Sequence, residues 1–210
     1  MSDPRVRTPQ EAFWEGEFGR AYSGRNVGDR LLAANLHFFS LALRTAGPIE
    51  SCLELGANVG MNLRALRLLY PALAATAVEI NAAAAEELGA VIGGDNVRIE
   101  SIHDYEPSGQ FDLVLLKGVL IHLAPATLPA VYDTIHRASR RFVLLAEYYN
   151  PTPVSVAYRG HAERLFKRDF AGELLDRHAG LVLRDYGFVY HRDPAFPQDD
   201  ITWFLLEKQA

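Results

Sequence analysis

The chain has 210 residues, of which 49% are hydrophobic and 22% are charged, and its formal net charge at pH 7 is -5. This composition fits a globular domain with an apolar core, and the acidic balance argues against a general nucleic-acid-binding surface. The single cysteine, Cys52, excludes an intramolecular disulfide, and we expect a buried thiol. The sequence shows no apolar segment typical of a signal peptide or a membrane span. We therefore expect a cytoplasmic protein that binds neither membranes nor nucleic acid.

The N-terminal segment has the spacing of helices. Aromatic residues recur there at intervals of four, which places them on one helical face; they are Trp14, Phe18 and Tyr22. A second helical pattern covers residues 29–45 and ends before a Gly-Pro pair. We predict that residues 1–47 form a helical cap or lid, and that residues 48–210 form the main domain.

Strands and helices alternate from residue 51 onward. The apolar runs predict strands at 51–55, 74–79, 97–100, 111–116 and 141–147. The helical patterns between them lie at 60–69, 82–92 and 128–138. Such alternation is typical of an α/β fold with a doubly wound, mostly parallel, Rossmann-like sheet.

The last third of the chain has a different pattern. Residues 148–159 contain two prolines and are predicted to be a loop. A helix is predicted at 167–178, with Asp169 as its N-terminal cap. Two further strands at 181–189 and 201–206 are expected to form an antiparallel hairpin at the edge of the sheet.

A glycine-containing turn follows the first strand, and an acid ends the second. Glu79 lies 23 positions after Gly56, and Gly60 follows four positions after Gly56. Backbone N–H groups in such a turn can approach a nucleotide, and the acid can accept hydrogen bonds from ribose hydroxyls. Glu54 is a charge within an apolar strand, which is costly unless it is paired. The pattern predicts a nucleoside-binding crevice, although the glycines alone would also fit an ordinary turn.

Three blocks of the sequence resemble the class I S-adenosylmethionine-dependent methyltransferases: residues 54–60, Glu79 and residues 111–123. The resemblance implies S-adenosyl-L-methionine as cofactor and a class I methyltransferase domain over residues 48–210. It also implies cofactor contacts from several residues besides Glu54, Gly56, Gly60 and Glu79. These are Ala57, Asn58, Ile80, Ser101, Ile102, Lys117, Gly118 and Val119.

A narrower resemblance concerns residues 10–26 and 166–173. These segments are similar to small methylases associated with pseudaminic acid biosynthesis. The similarity implies a place in bacterial sugar-acid biosynthesis or secondary metabolism and does not imply a particular substrate.

Several side chains are candidates for acceptor chemistry. His122 has the side-chain type of a general base, although a packed helix histidine fits the pattern as well. The residues just after the fifth strand lie at the edge where such sheets bind ligands. From these segments we predict Tyr149 as a further catalytic residue. We also predict substrate contacts from Trp14, Glu147, Tyr148, Asn150, Tyr158 and Arg159, and cofactor contacts from Tyr22 and Arg25.

These observations together predict an enzyme that methylates oxygen or nitrogen of a small polar acceptor without a bound metal. Histidines are scattered and no cysteine pair exists, so a metal site is not expected. A homodimer is left open. Three alternatives remain. An NAD-dependent oxidoreductase is disfavoured because Asn58 stands at the third position of G-x-G-x-x-G, where that motif has glycine. The other two are a non-catalytic nucleoside-binding module and an enzyme that modifies a protein or RNA, of which the acidic net charge disfavours RNA.

Overall fold

The computed structural model describes residues 7–24 and 27–209. Its helices are α1 Pro9–Glu15, α2 Glu17–Ser23, α3 Asp29–Ala42, α4 Met61–Leu69, α5 Ala82–Ile92, α6 Leu128–Ala138 and α7 Phe170–Arg177. Its strands are β1 Ser51–Leu55, β2 Ala74–Glu79, β3 Val97–Ile99, β4 Phe111–Lys117, β5 Ser139–Glu147, β6 Val154–Tyr158, β7 His161–Lys167, β8 Leu181–Val189 and β9 Ile201–Lys208.

Seven strands form one mixed sheet in the order β3-β2-β1-β4-β5-β9-β8. Strands β1 to β5 pair in parallel, whereas β9 is antiparallel to both β5 and β8. The predicted Rossmann-like fold and its C-terminal antiparallel pair are confirmed. The strand order reverses between β1 and β4, and in such sheets a crevice opens at the carboxyl ends of the strands at this point.

Helices cover both faces of the sheet because the central strands are apolar on both sides. One core cluster joins α3, α4 and α5 to the sheet and includes Phe38, Phe39 and Leu66. The other joins α6 and α7 to the opposite face and includes Ile135 and Leu174. The side chains of α3 are thus part of the main core, and α1 and α2 are the helices that lie over the crevice.

Cys52 is buried, as predicted. Cys52 is a free and wholly buried thiol, and burial raises its pKa well above the usual value. Among the described residues, no helix is both long and apolar enough to cross a lipid bilayer.

The prediction of a loop over residues 148–159 is wrong. Residues 154–158 and 161–167 form a separate antiparallel hairpin, β6–β7. The prolines at 151 and 153 lie before β6, so they do not interrupt its ladder. The alternating valines of β6, Val154 and Val156, are exposed, and therefore burial gave no periodic signal. The hairpin packs beside residues 120–122 and contributes directly to the site described below.

The predicted N-terminal helix is divided into two short helices at Gly16. Helix α1 begins with a capping box in which Thr8 and Glu11 exchange hydrogen bonds. Helix α2 approaches α1 closely at Gly19, where an added Cβ would lie 1.9 Å from the carbonyl oxygen of Trp14. Only glycine fits there, and this contact fixes the angle between the two cap helices.

Candidate functional site

A cavity of about 540 Å³ lies between the cap helices and the carboxyl ends of the strands. Its volume is within the range of small-molecule binding sites. Among the residues predicted to bind a ligand, those that line this cavity are Trp14, Tyr22, Gly56, Ala57, Asn58, Glu79, Ile80, Ser101, Ile102, Lys117, Gly118, Val119 and His122. The fold thus collects residues from five separate segments of the chain into one site.

Glu79 is presented to the cavity by backbone hydrogen bonds. Its Oε2 accepts from the N–H of Asn58 at 2.8 Å, and its Oε1 accepts from the N–H of Asn81 at 2.8 Å. Burial raises the pKa of Glu79, although these backbone donors oppose the rise. Because each carboxylate oxygen has two lone pairs, both oxygens keep acceptor capacity for a ligand.

Glu54 is buried behind the turn of residues 56–60. Its Oε1 accepts from the Nδ2 of Asn62 at 2.6 Å, whereas its Oε2 is buried without a hydrogen-bond partner among the described residues. Burial raises its pKa to about 8, despite the nearby Lys117. Asn62 lines the cavity, so Glu54 lies behind the cavity wall and is hydrogen-bonded to a residue of that wall.

Lys117 ends β4 and lies among acids. Charge–charge attraction reaches it from Glu54, Asp199 and Glu147, yet burial lowers its pKa from the ordinary value. Its ammonium lies 5.7 Å from the centre of the Phe38 ring, a cation–π distance. The positive charge at this end of the cavity is therefore largely balanced by the protein itself.

His122 lies in an aromatic environment formed by the cap and the hairpin. Its ring centre is 4.6 Å from that of Trp14 and 5.0 Å from that of Tyr158. Its Nδ1 is 2.7 Å from the carbonyl oxygen of Arg164 on β7, so Nδ1 carries the proton and donates. Burial lowers the pKa of His122 to about 4. The imidazole is thus neutral near pH 7, with Nε2 as a hydrogen-bond acceptor.

The indole of Trp14 completes this aromatic wall. Its Nε1 is buried without a hydrogen-bond partner in the described part of the chain. The ring also contacts Tyr22 at 5.2 Å between centres. Trp14 therefore offers one unused donor to a molecule in the cavity.

Glu147 is placed differently from its predicted role in substrate contact. Its two carboxylate oxygens accept hydrogen bonds from the backbone N–H groups of Val119, Leu120 and Ile121. Burial raises its pKa to about 7, although these donors and Lys117 oppose the rise. It holds the loop that presents Val119 and His122, and it does not line the cavity.

Other predicted residues also lie away from the cavity lining. Tyr149 is 41% exposed and packs on Phe204, and the Nδ2 of Asn150 donates to the backbone of Thr152. The guanidinium of Arg159 lies over the ring of Tyr158. Gly60 begins α4 with a left-handed backbone, and Tyr148 donates its hydroxyl to Asp199 at 2.9 Å. Arg25 is outside the described residues.

Polar residues that were not predicted as site residues also line the cavity, among them Asn35, Asn81, Gln198 and Asp199. Asn35 belongs to α3 and is 1% exposed, and in the sequence it resembles any other polar helix residue. Gln198 and Asp199 belong to the loop before β9. Their place depends on contacts between distant segments, such as the hydrogen bond from Gln198 to the carbonyl oxygen of Ala34 at 2.8 Å.

No group of three or more His, Cys, Asp or Glu side chains is arranged to hold a metal ion within residues 7–24 and 27–209.

Residues 53–141 match a sequence family described as "Methyltransferase domain". No curated protein matches the sequence. The chain has the Rossmann-like methyltransferase fold. Residues 53–141, which include the turn, Glu79 and His122, carry the methyltransferase domain match.

Solved structures of methyltransferases superpose on nearly the whole chain. A 1,6-didemethyltoxoflavin-N1-methyltransferase of Burkholderia thailandensis, solved with S-adenosylhomocysteine, is 20% identical with a TM-score of 0.73, and the match covers 100% of this chain and 94% of that one. Magnesium protoporphyrin IX methyltransferase of Synechocystis, solved with bound SAM, is 12% identical with a TM-score of 0.66, over 98% and 100%. The N-methyltransferase NodS of Bradyrhizobium japonicum is 13% identical with a TM-score of 0.64, over 88% and 99%.

Proposed function

We propose that this protein is an S-adenosylmethionine-dependent methyltransferase that acts on a nitrogen or oxygen of a small polar acceptor. The observation that carries the proposal is the position of Glu79, whose carboxylate is held at the cavity by the turn after β1 and by the residue that begins α5. The methyltransferase domain match over the same elements supports it.

The residues present fit the cofactor from end to end. The remaining lone pairs of Glu79 match the two hydroxyls of a ribose. Ile80 and Ile102 provide apolar surface beside this acid for a base, with Ser101 between them in the lining. The unpartnered Oε2 of Glu54, behind Asn62, fits the ammonium of the methionine part through a water molecule.

When bound, S-adenosylmethionine would supply a methyl group that a nucleophile can take from its positively charged sulfur. The protein then has two tasks, which are to hold the acceptor in line and to exclude water. The aromatic wall of Trp14, Tyr22 and Tyr158 excludes water on the cap side. The neutral His122 offers Nε2 to a proton on the acceptor.

The biological setting is the finer part of the proposal. The predicted place in bacterial secondary metabolism or sugar-acid biosynthesis, and the resemblance to methylases associated with pseudaminic acid biosynthesis, remain predictions. Solved structures with the same fold include a toxoflavin-precursor methyltransferase and a mitomycin 7-O-methyltransferase. These neighbours support a small-molecule acceptor.

The test is calorimetric titration with S-adenosylhomocysteine and, in parallel, with NAD. We expect micromolar affinity for S-adenosylhomocysteine and none for NAD. Glu79→Gln should weaken the affinity at least tenfold, because the amide replaces an acceptor oxygen with donors that face backbone N–H groups. Glu87→Gln, on the exposed face of α5, is the matched control and should bind like the wild type. Binding of NAD alone, or equal affinity in both variants, would contradict the proposal.

A further inference from the structure

Two buried amide oxygens at one end of the cavity have no hydrogen-bond partner. The Oδ1 of Asn35 and the Oε1 of Gln198 are both buried and unpartnered among the described residues. Asn35 is 1% exposed, and both residues line the cavity. A buried acceptor without a donor costs about 1–3 kcal/mol. A ligand that donates N–H or O–H groups to these two oxygens would therefore remove this cost.

These two residues are held together by the fold. The Nε2 of Gln198 donates to the carbonyl oxygen of Ala34, the residue before Asn35. This hydrogen bond fixes the orientation of the Gln198 amide, because Nε2 must face the carbonyl oxygen and Oε1 then has no hydrogen-bond donor. Asp199 follows directly and accepts the hydroxyl proton of Tyr148 at Oδ2, which leaves further lone pairs on its carboxylate.

Acids outnumber bases around the cavity. Its lining includes Glu11, Glu79, Glu100 and Asp199, against Lys117 as the one lysine or arginine among the described lining residues. Lys117 is itself attracted by the carboxylate of Asp199. A ligand with a negative charge is therefore repelled by more groups than attract it, and a neutral or positive ligand is favoured.

The strand order places this polar end away from the ribose acid. Glu79 ends β2, whereas Asp199 precedes β9, and β1, β4 and β5 lie between these two strands. Four strand spacings of about 4.8 Å separate them by roughly 19 Å. If Glu79 holds the ribose, the end that contains Asn35, Gln198 and Asp199 is left for the acceptor.

We propose that Asn35, Gln198 and Asp199 form the acceptor subsite, and that this subsite selects an amine over a carboxylate. This inference rests on the proposed function, since it assigns the remainder of the same cavity. The two amide oxygens accept N–H groups of the amine, and the Asp199 carboxylate attracts its positive charge.

The experiment compares matched amines and carboxylates on the protein saturated with S-adenosylhomocysteine. The pairs are benzylamine with benzoate and glucosamine with glucuronate, and the dissociation constant of each is measured by calorimetry or ligand-observed NMR. We expect each amine to bind at least tenfold tighter than its carboxylate. Failure of both amines to bind, or equal or tighter binding of the carboxylates, would overturn the inference.

Two variants assign the selectivity to these residues. Asp199→Asn keeps an oxygen for Tyr148 but removes the charge, and Gln198→Leu removes the unpartnered oxygen; each should weaken amine binding about tenfold. Gln110→Leu, at an exposed position remote from the cavity, is the matched control and should bind like the wild type. Unchanged amine binding in both site variants would also overturn the inference.

The affinity for S-adenosylhomocysteine, measured on every variant, separates this inference from the proposed function. It should stay within about twofold of the wild type in Asp199→Asn and Gln198→Leu. Absence of S-adenosylhomocysteine binding to the wild type would refute the methyltransferase proposal itself. Intact binding without amine selectivity would refute the subsite alone.

Discussion

Replacement of Glu54 by Gln should flatten the pH dependence of stability. Glu54 is 1% exposed, and burial raises its pKa from 4.5 to about 8, against the hydrogen bond from Asn62 and the attraction of Lys117. A carboxyl group with a higher pKa in the folded chain binds more protons there than in the unfolded chain. It therefore stabilises the fold fully below about pH 4.5, and this contribution is lost as the pH rises through about 8.

The size of the stability change follows from the difference between the pKa of Glu54 in the unfolded chain, 4.5, and in the folded chain, about 8. Each pH unit between the two pKa values changes the free energy of unfolding by about 1.4 kcal/mol for one titrating group. Between about pH 5 and about pH 7.5, ionisation of Glu54 should thus lower wild-type stability by about 3 kcal/mol. Glu147, with a pKa raised to about 7, titrates in both proteins, so the difference between them isolates Glu54.

The assay is urea unfolding of the wild type, Glu54→Gln and the exposed control Glu87→Gln across this pH range. The stability of Glu54→Gln relative to the wild type should rise by about 3 kcal/mol from the acid to the neutral end, whereas Glu87→Gln should follow the wild type. Parallel curves for all three proteins would show that Glu54 ionises normally, and the reasoning from burial would be refuted.

The same carboxyl connects stability to ligand binding. An ammonium group placed beside the unpartnered Oε2 favours the ionised form, so binding of S-adenosylhomocysteine near pH 7 should release a proton from the wild type. Calorimetry in two buffers of different ionisation enthalpy measures this proton. Release of equal size from Glu54→Gln would mean that the proton comes from another group.

Three further predictions concern other parts of the structure. Once an acceptor is known, His122→Phe should lower kcat about 100-fold or more and leave the affinity for S-adenosylhomocysteine unchanged. The activity of the wild type should persist down to about pH 5, because the pKa of His122 is about 4 and the imidazole stays neutral above it. Asp112→Asn should cost about 2 kcal/mol in urea unfolding at neutral pH, since the Asp112 carboxylate accepts from Arg140 and two backbone N–H groups, and an unchanged midpoint would contradict this. Gly60→Ala should destabilise the fold by about 1–2 kcal/mol, because Gly60 has a φ of 80° and an added Cβ would lie 2.7 Å from Leu88; thermal unfolding measures the loss.

The sheet and most helices were predictable because their signals are local. Strands buried on both faces are continuous apolar runs, and β1 and β2 have the predicted bounds. Helix α6 likewise covers the predicted residues, since its apolar face has a strict helical period. The β6–β7 hairpin was missed because its first strand is exposed, so that no alternation of burial marks it.

The site was only partly predictable for a related reason. The side of the cavity from Gly56 to Glu79 lies within one strand–turn–helix–strand unit, where the spacing of residues predicts the geometry. The opposite side combines α3 with the loop before β9, and their approach depends on the hydrogen bond between Gln198 and Ala34. Tertiary contacts of this kind have no period in the sequence, and Asn35 in particular looks like any polar helix residue.

Asn81 shows how the two halves of the site depend on each other. Its backbone N–H donates to Glu79, and its side-chain oxygen caps α5 by accepting from Ala84. Its side-chain nitrogen donates to the carbonyl oxygens of Trp14 and Glu15 in the cap. One residue thus holds Glu79, the start of α5 and the end of α1 at the same time. Since Trp14 also forms the aromatic wall beside His122, the same residue that orients Glu79 also sets the position of the cap over the cavity.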